Sequence, residues 1–298
     1  MKRFILGCVH LFFSFPALYN YKKYLLSTWF LPQRRNKLDH FCYRLLIPVW
    51  FRFEYWSETN PDLRTAKQGL LMGGESGAEW AKHYDSSPFP PDEGTKVGSI
   101  SFSEALPIFE DLKNVLRNKI NPTTLIQIGS SSGREIAWFA RQFPHIRCIG
   151  SDIYRSVIEY SSNKYRGPNL SFVTLPAHQL DSLIQILPEG EDVIFFSSGS
   201  LQYVQPEHLK DFFTSLTKFS RSIEVYLLET ADDKKGSPNA LEESLPRGNF
   251  SFTHNYMKDA RSAGLEVINS SIIHPYLPKG QFKGHENTVH FYFVARKT

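Results

Sequence analysis

Leu125-Ile126-Gln127-Ile128-Gly129-Ser130-Ser131-Ser132-Gly133-Arg134-Glu135-Ile136-Ala137 is the stretch on which the reading of this chain turns. A short β-branched run leads into two glycines four residues apart. Apolar residues at helical spacing follow (Ile136, Ala137, Phe139, Ala140), giving the pattern of strand, tight turn and helix. In an open parallel sheet, ligands lie beyond the carboxyl ends of the strands. There glycine lets the backbone approach closely and a helix N-terminus presents free N–H groups. A second run, Ile146-Arg147-Cys148-Ile149-Gly150-Ser151, ends on Asp152, nineteen residues past Gly133. A carboxylate at the tip of the second strand suits the two hydroxyls of a ribose.

Downstream the units repeat. A helix near Arg155 to Lys164 precedes the strand Leu170 to Leu175, and a helical stretch runs to Leu187. Asp192 to Phe196 is a buried-type strand ending in Ser197-Ser198-Gly199-Ser200. Pro206 opens a helix with Leu209, Phe212, Phe213, Leu216 and Phe219 facing inward, and Ile223 to Glu229 is the next strand. This alternation is that of βαβ units and predicts a mainly parallel sheet. A polar loop, Thr230 to Phe250, is followed by a helix over 255–263 closed by Gly264. Two strands, Leu265 to Ile273 and Val289 to Ala295, are then expected to pair antiparallel.

Upstream the character differs. Residues 1–60 hold nine Lys/Arg against three Asp/Glu, so the net charge of +4 belongs to the N-terminus and the remainder is slightly acidic. No basic stripe supports nucleic-acid binding; the basic, aromatic segment points to an anionic membrane surface or a partner. The apolar run from Phe4 to Tyr19 is broken by His10 and Pro16 and falls short of a spanning helix. A signal peptide is the rival reading, though no A-x-A-like cleavage site follows. Leu38, Phe41, Cys42, Leu45 and Leu46 make one stripe of an amphipathic helix expected to end near Pro48. The aromatic run Trp50 to Trp56 follows, and these two segments either meet a membrane interface or pack as extra helices. Gly, Ser and Pro from Gly69 to Gly98 mark a boundary or lid, with a short helix at Trp80 to Tyr84. Ser103-Glu104 then opens a helix with Leu106, Phe109, Leu112 and Leu116 on one face. Three widely spaced cysteines (Cys8, Cys42, Cys148) form neither a disulfide framework nor a zinc signature, which suits a cytoplasmic protein, peripheral on the membrane if the N-terminus docks there. The expected division is 1–68, a helical basic appendage; 69–120, a lid and leading helix; and 121–298, the α/β domain.

From Leu125 to Arg296 the order of elements resembles the class I S-adenosylmethionine-dependent methyltransferases, a Rossmann-like fold of seven mostly parallel strands ending in an antiparallel hairpin. Gly264-Leu265 stands where that family often closes its penultimate helix. The family's first loop usually reads acid-x-Gly-x-Gly-x-Gly. Here Gln127 takes the acid position and Ser131 that of the middle glycine, while Gly129 and Gly133 are kept. The resemblance implies S-adenosylmethionine as cofactor, held by Gln127, Gly129, Ser130, Ser131 and Gly133. It places Asp152 on the ribose, Ile153 against the adenine, and Ala177 beside the ring where an Asp is common. Ser197 and Ser198 then begin the loop facing the methyl group. Pro176-Ala177-His178 and the run Ser197 to Val204 carry these assignments. A fainter similarity is to methyltransferases of surface-polysaccharide synthesis, so the acceptor is expected among small molecules, lipid-linked intermediates and glycans.

Methyl transfer from a sulfonium is an in-line displacement, in which the protein mainly positions the nucleophile and excludes water. A hydroxyl acceptor also gains from a base of near-neutral pKa, for which His178 and His254 are the candidates. Tyr84 and Tyr203 are candidates to line the cofactor pocket, though core packing is the commoner fate of such tyrosines. Asp232-Asp233 beside Lys234-Lys235 reads as a solvated loop, and no metal is expected. Gly129-x-Ser131-x-Gly133 also matches the nucleophile elbow of α/β-hydrolases, with Ser131 as nucleophile, but the first 120 residues supply no preceding strands or HGGG-like segment. Dinucleotide binding through G-x-G-x-x-G fails at Ser131 and Arg134. A methyltransferase-shaped protein without catalysis is the third alternative.

Overall fold

A computed structural model of the chain describes residues 16–28, 34–72, 74–86, 96–97, 100–101, 106–185, 187–219, 221–232, 237–248, 250–273 and 288–297. Its contacts divide into two compact units, Met1–His83 and Tyr84–Thr298.

In the first unit, α1 (Pro16–Ser27), α2 (Lys37–Trp50), α3 (Pro61–Met72) and α4 (Gly74–Tyr84) follow one another, the last crossing the division. Asn36 and Asp39 form a reciprocal capping box at the start of α2, and the same Asp39 carboxylate accepts the Tyr21 hydroxyl of α1 at 2.7 Å. The helix does not stop at Pro48. It runs on to Trp50 and widens into a π-helical turn, Phe51–Tyr55, in which the Phe51 N–H donates to both Ile47 and Pro48 carbonyls. Proline removes the one donor that would face the Arg44 carbonyl and does not end the helix. Trp50, Phe51 and Tyr55 are buried against one another, so most of the aromatic run packs inward. The stripe does the reverse: Leu38, Phe41 and Leu45 are 65%, 61% and 56% exposed. The Gly-rich segment expected as a lid is helical from Gly74 to Tyr84, with Gly69 inside α3, and residues 87–95 and 102–105 lie outside the described residues.

The second unit opens with the two-residue strands β1 (Lys96–Val97) and β2 (Ile100–Ser101) and with α5 (Pro107–Arg117). The sheet is built from β3 (Thr123–Ile128), β4 (Arg147–Asp152), β5 (Leu170–Thr174), β6 (Asp192–Ser198) and β7 (Ile223–Asp232), then β10 (Glu266–Ile273) and β11 (Thr288–Lys297). The helices α6 (Arg134–Gln142), α7 (Arg155–Lys164), α8 (Asp181–Ile184), α9 (Pro206–Lys218) and α10 (Tyr256–Ser262) lie between them in sequence. The strand order is β5-β4-β3-β6-β7-β11-β10. Strands β3 to β7 are parallel, and β11 runs antiparallel between β7 and β10. The predicted terminal hairpin is therefore present, with β11 on the inside. The expected loop 230–250 is partly structured, because β7 continues to Asp232 and a minor hairpin, β8 (Leu245–Arg247) with β9 (Ser251–Thr253), follows it.

Period-two alternation sorts the central strands between two cores. Ile126, Phe195, Val225, Leu227, Phe291 and Phe293 pack with Leu209, Phe212, Phe213 and Leu216 of α9 and with Tyr256 and Ala260 of α10. Leu125, Ile194, Phe196, Tyr226, Leu228 and Tyr292 face the other way, onto Phe109, Leu112 and Leu116 of α5 and Ile136 and Phe139 of α6. Helices on both faces of a mostly parallel sheet, with the order reversing at β3, create a crevice at the carboxyl ends of β3, β4 and β6.

Candidate functional site

The corner after β3 is bent by three left-handed residues at alternate positions: Gly129 (φ +67°), Ser131 (φ +48°) and Gly133 (φ +79°). A left-handed serine is unfavourable by about 1 kcal/mol and persists only where its surroundings fix it. Here its N–H donates to Asp152 Oδ2 (3.2 Å) and its carbonyl accepts the Ser161 hydroxyl of α7 (2.8 Å). Asp152 is thus brought to the bend, as expected. Its other oxygen accepts the Tyr154 N–H at 3.1 Å, and the adjacent Ile153 is 36% exposed. Burial pushes the Asp152 carboxyl up to about 6, against the pull of these backbone donors.

The two glycines make room for neighbouring strands and loops. A Cβ on Gly129 would lie 2.3 Å from the Cβ of Ser200, and one on Gly133 would lie 2.6 Å from the Phe172 ring. Their missing side chains admit the protein's own neighbours. Ser200 in turn donates to the Gly129 carbonyl at 2.9 Å, tying the loop after β6 to the loop after β3. That second loop is held from below by Glu229 of β7, whose carboxylate accepts the Ser197 hydroxyl (2.6 Å) and the Leu201 and Gln202 N–H groups (both 3.1 Å). Burial lifts Glu229 to about 7. Ser197 is thereby committed to Glu229, while Ser198 is half-buried at the strand end.

Gln127, at the position of the family's acid, donates to Glu135 Oε2 at 2.6 Å, and Tyr84 donates to Glu135 Oε1 at 2.8 Å. The carboxylate beneath the corner therefore comes from the first turn of α6, a place favoured for negative charge, although desolvation raises its pKa. Tyr84 is engaged by Glu135 and by the Arg134 guanidinium, 3.9 Å above its ring, and is part of this support. Ser130 is buried with its hydroxyl unpartnered among the described residues, as is the second amide atom of Gln127, Oε1.

The two candidate histidines are each held by packing. His254 is 1% exposed, bonded through Nδ1 to the Ser244 hydroxyl (2.7 Å), with its ring against Phe252 and Tyr256. Burial lowers it to about 3, so it stays neutral at ordinary pH. His178 stacks on His208 at 3.8 Å between ring centres, and Ala177 beside it packs toward the core. Tyr203 packs on Phe250. Glu135, Ser161, Phe172, Ser200 and Glu229 escaped the sequence reading. Only Glu135, an acid in the first turn after a glycine bend, carried a local signal. Ser131 has no imidazole hydrogen-bonded to it among the described residues. The described surface cavity lined by Pro122, His145, Arg147 and Asn169 lies at the opposite edge of the sheet, where the strands begin.

The fold and this corner define the class: a Rossmann-like α/β protein with the class I methyltransferase arrangement of strands, assigned from the strand order and register themselves. No protein-family model matches the sequence, and no curated protein matches it either. Among solved structures, it is similar to geranyl diphosphate C-methyltransferase from Streptomyces coelicolor A3(2), crystallised with S-adenosyl-L-homocysteine. That likeness has 14% identity over 64% of this chain and 75% of the other, with a TM-score of 0.48. A cyclopropane synthase from Mycobacterium tuberculosis is similar at 12% identity over 63% and 83% of the two chains, with a TM-score of 0.44. The corresponding figures for an S-adenosylmethionine-dependent methyltransferase from Mesorhizobium loti are 11%, 64%, 98% and 0.44.

Proposed function

We propose that the chain is an S-adenosylmethionine-dependent methyltransferase acting on a small molecule, a lipid-linked intermediate or a glycan. The observation that carries this reading is the Asp152 carboxylate hydrogen-bonded to the left-handed Ser131 of the glycine corner, with Ile153 exposed beside it. The carboxylate accepts backbone N–H groups of Ser131, Ile153 and Tyr154 and keeps acceptor capacity for a ribose hydroxyl. Ile153 supplies an apolar surface for a purine, and the buried Ser130 hydroxyl and Gln127 Oε1 supply polar atoms at the bend. The bound cofactor would supply an electrophilic methyl group. The chain's own part is to orient it and exclude water: the Ser200 contact to Gly129 holds two loops of the crevice together, and Glu229 holds the second of them.

The test is retention and transfer of label from methyl-labelled S-adenosylmethionine in the presence of aqueous and organic-soluble cell extracts. Retention by the wild-type chain, lost in Asp152→Ala, together with label in an extracted product, is expected. Retention without transfer to any fraction would favour the non-catalytic alternative, and no retention would overturn the cofactor reading.

We further propose that the first unit contacts an anionic membrane surface. Leu38, Phe41 and Leu45 project from α2 on the side away from its buried Asp39, Ile47 and Trp50, with Lys37 and Arg44 at the flank. Asp39, the only acid in that helix, is turned inward.

A further inference from the structure

Arg247 lies on the minor hairpin, paired with Ser251. Thr253, on the same face of that hairpin, receives the Asp232 N–H at 3.0 Å, which docks the hairpin on the carboxyl end of β7. The guanidinium is largely enclosed, enough for desolvation to disfavour its charge, and its Nε is buried without a hydrogen-bond partner. No ion pair involves it among the described residues. Two carboxylates, Asp232 and Glu229, lie within its electrostatic reach but neither forms an ion pair with it, and Glu229 gives its hydrogen-bonding capacity to Ser197, Leu201 and Gln202. The Tyr256 hydroxyl, on a side chain only 1% exposed, is likewise buried and unpartnered, and it and Arg247 lie within each other's electrostatic reach.

A half-buried guanidinium with a buried, unpartnered Nε beside an unpartnered hydroxyl is costly in a folded protein and is expected where something else completes it. The position says what that would be. Asp152 ends β4, and β3, β6 and β7 follow it in order, so the tip of β7 is three strand spacings away, about 14 Å. A nucleoside held at Asp152 and extending across β3 and β6 would bring its reactive end close to this place.

We propose that Arg247, assisted by the Tyr256 hydroxyl, binds an anionic oxygen group, carboxylate or phosphate, carried by the methyl acceptor. The proposal rests on the methyltransferase reading for the word acceptor and on the unpaired guanidinium for the anion. Arginine offers a planar fork of donors that fits either group.

The probes are inorganic phosphate and acetate, titrated into the full chain with and without S-adenosylhomocysteine, against sodium chloride at equal ionic strength. The readout is the thermal unfolding midpoint. One or both anions should raise the wild-type midpoint saturably beyond chloride. Arg247→Met should weaken that response about tenfold or more, Arg247→Lys less, and Tyr256→Phe partially. In chloride alone, Arg247→Met should unfold no earlier than wild type, because the substitution removes a half-buried charge that has no ion-pair partner among the described residues. Equal anion responses in wild type and Arg247→Met, no response beyond chloride, or earlier unfolding of Arg247→Met in chloride would overturn the proposal. The last result would mark the guanidinium as structural. The heat of S-adenosylhomocysteine binding, measured on the same samples, reports separately on the cofactor reading.

Discussion

Gln127 and Ser131 both stand where the methyltransferase family usually has another residue, and they differ in physical standing. Ser131 occupies a left-handed backbone that glycine adopts freely, so Ser131→Gly should change stability by less than about 1 kcal/mol and leave ligand binding intact. Gln127 donates to Glu135 at 2.6 Å, so the family's acid at 127 would set two carboxylates against each other in a buried site. Gln127→Glu should destabilise the chain by roughly 1–3 kcal/mol in urea unfolding at neutral pH, and adding Glu135→Gln should recover most of it. Asp152 makes the site pH-dependent. Its pKa of about 6 lies above the ordinary carboxylate value, so the native chain holds that proton more tightly than the unfolded chain. Ionisation of Asp152 therefore lowers stability as pH rises through about 4 to 6. A ligand whose hydroxyls donate to the ionised form should bind progressively less tightly as pH falls below 6, by up to about tenfold per unit, and Asp152→Asn should abolish that slope.

Among the elements, the β3 corner was legible because glycine spacing and apolar periodicity are local properties. What the glycines admit was not, because Ser200 and Phe172 reach them from other strands of the sheet. Gly129→Ala should therefore cost about 2–4 kcal/mol, from left-handed strain and from collision with Ser200. Gly129→Ala with Ser200→Gly should recover only the steric part. Thermal unfolding of the two variants separates these contributions. The α2 stripe was equally legible as a pattern, yet its period cannot say which side is covered. Its buried side is set by Asp39, Ile47 and Trp50, and by the tyrosine of α1 that bonds Asp39. The surroundings of the histidines were not legible for a related reason. Residue type suggested a base, but the burial that makes His254 neutral and encloses it against Phe252 and Tyr256 comes from tertiary packing.

For the molecule as a whole, alternation of strand and helix was enough to read a parallel sheet closed by a hairpin, and the terminal strand's place inside that hairpin emerged with the pairing of β11 to β7. Among the described residues no helix is long and apolar enough to cross a membrane. The exposed α2 stripe instead predicts surface binding: the full chain should float with anionic vesicles, less with zwitterionic ones, and Leu38→Ser, Phe41→Ser and Leu45→Ser together should abolish it. Equal flotation of the triple variant would contradict that reading. The central claim, a nucleoside held between the bent corner and Asp152, is tested most directly by calorimetric titration of S-adenosylhomocysteine at pH 8. We predict one saturable site per chain, weakened at least about tenfold in Asp152→Asn. No heat at millimolar ligand, or equal affinity in the two proteins, would contradict it.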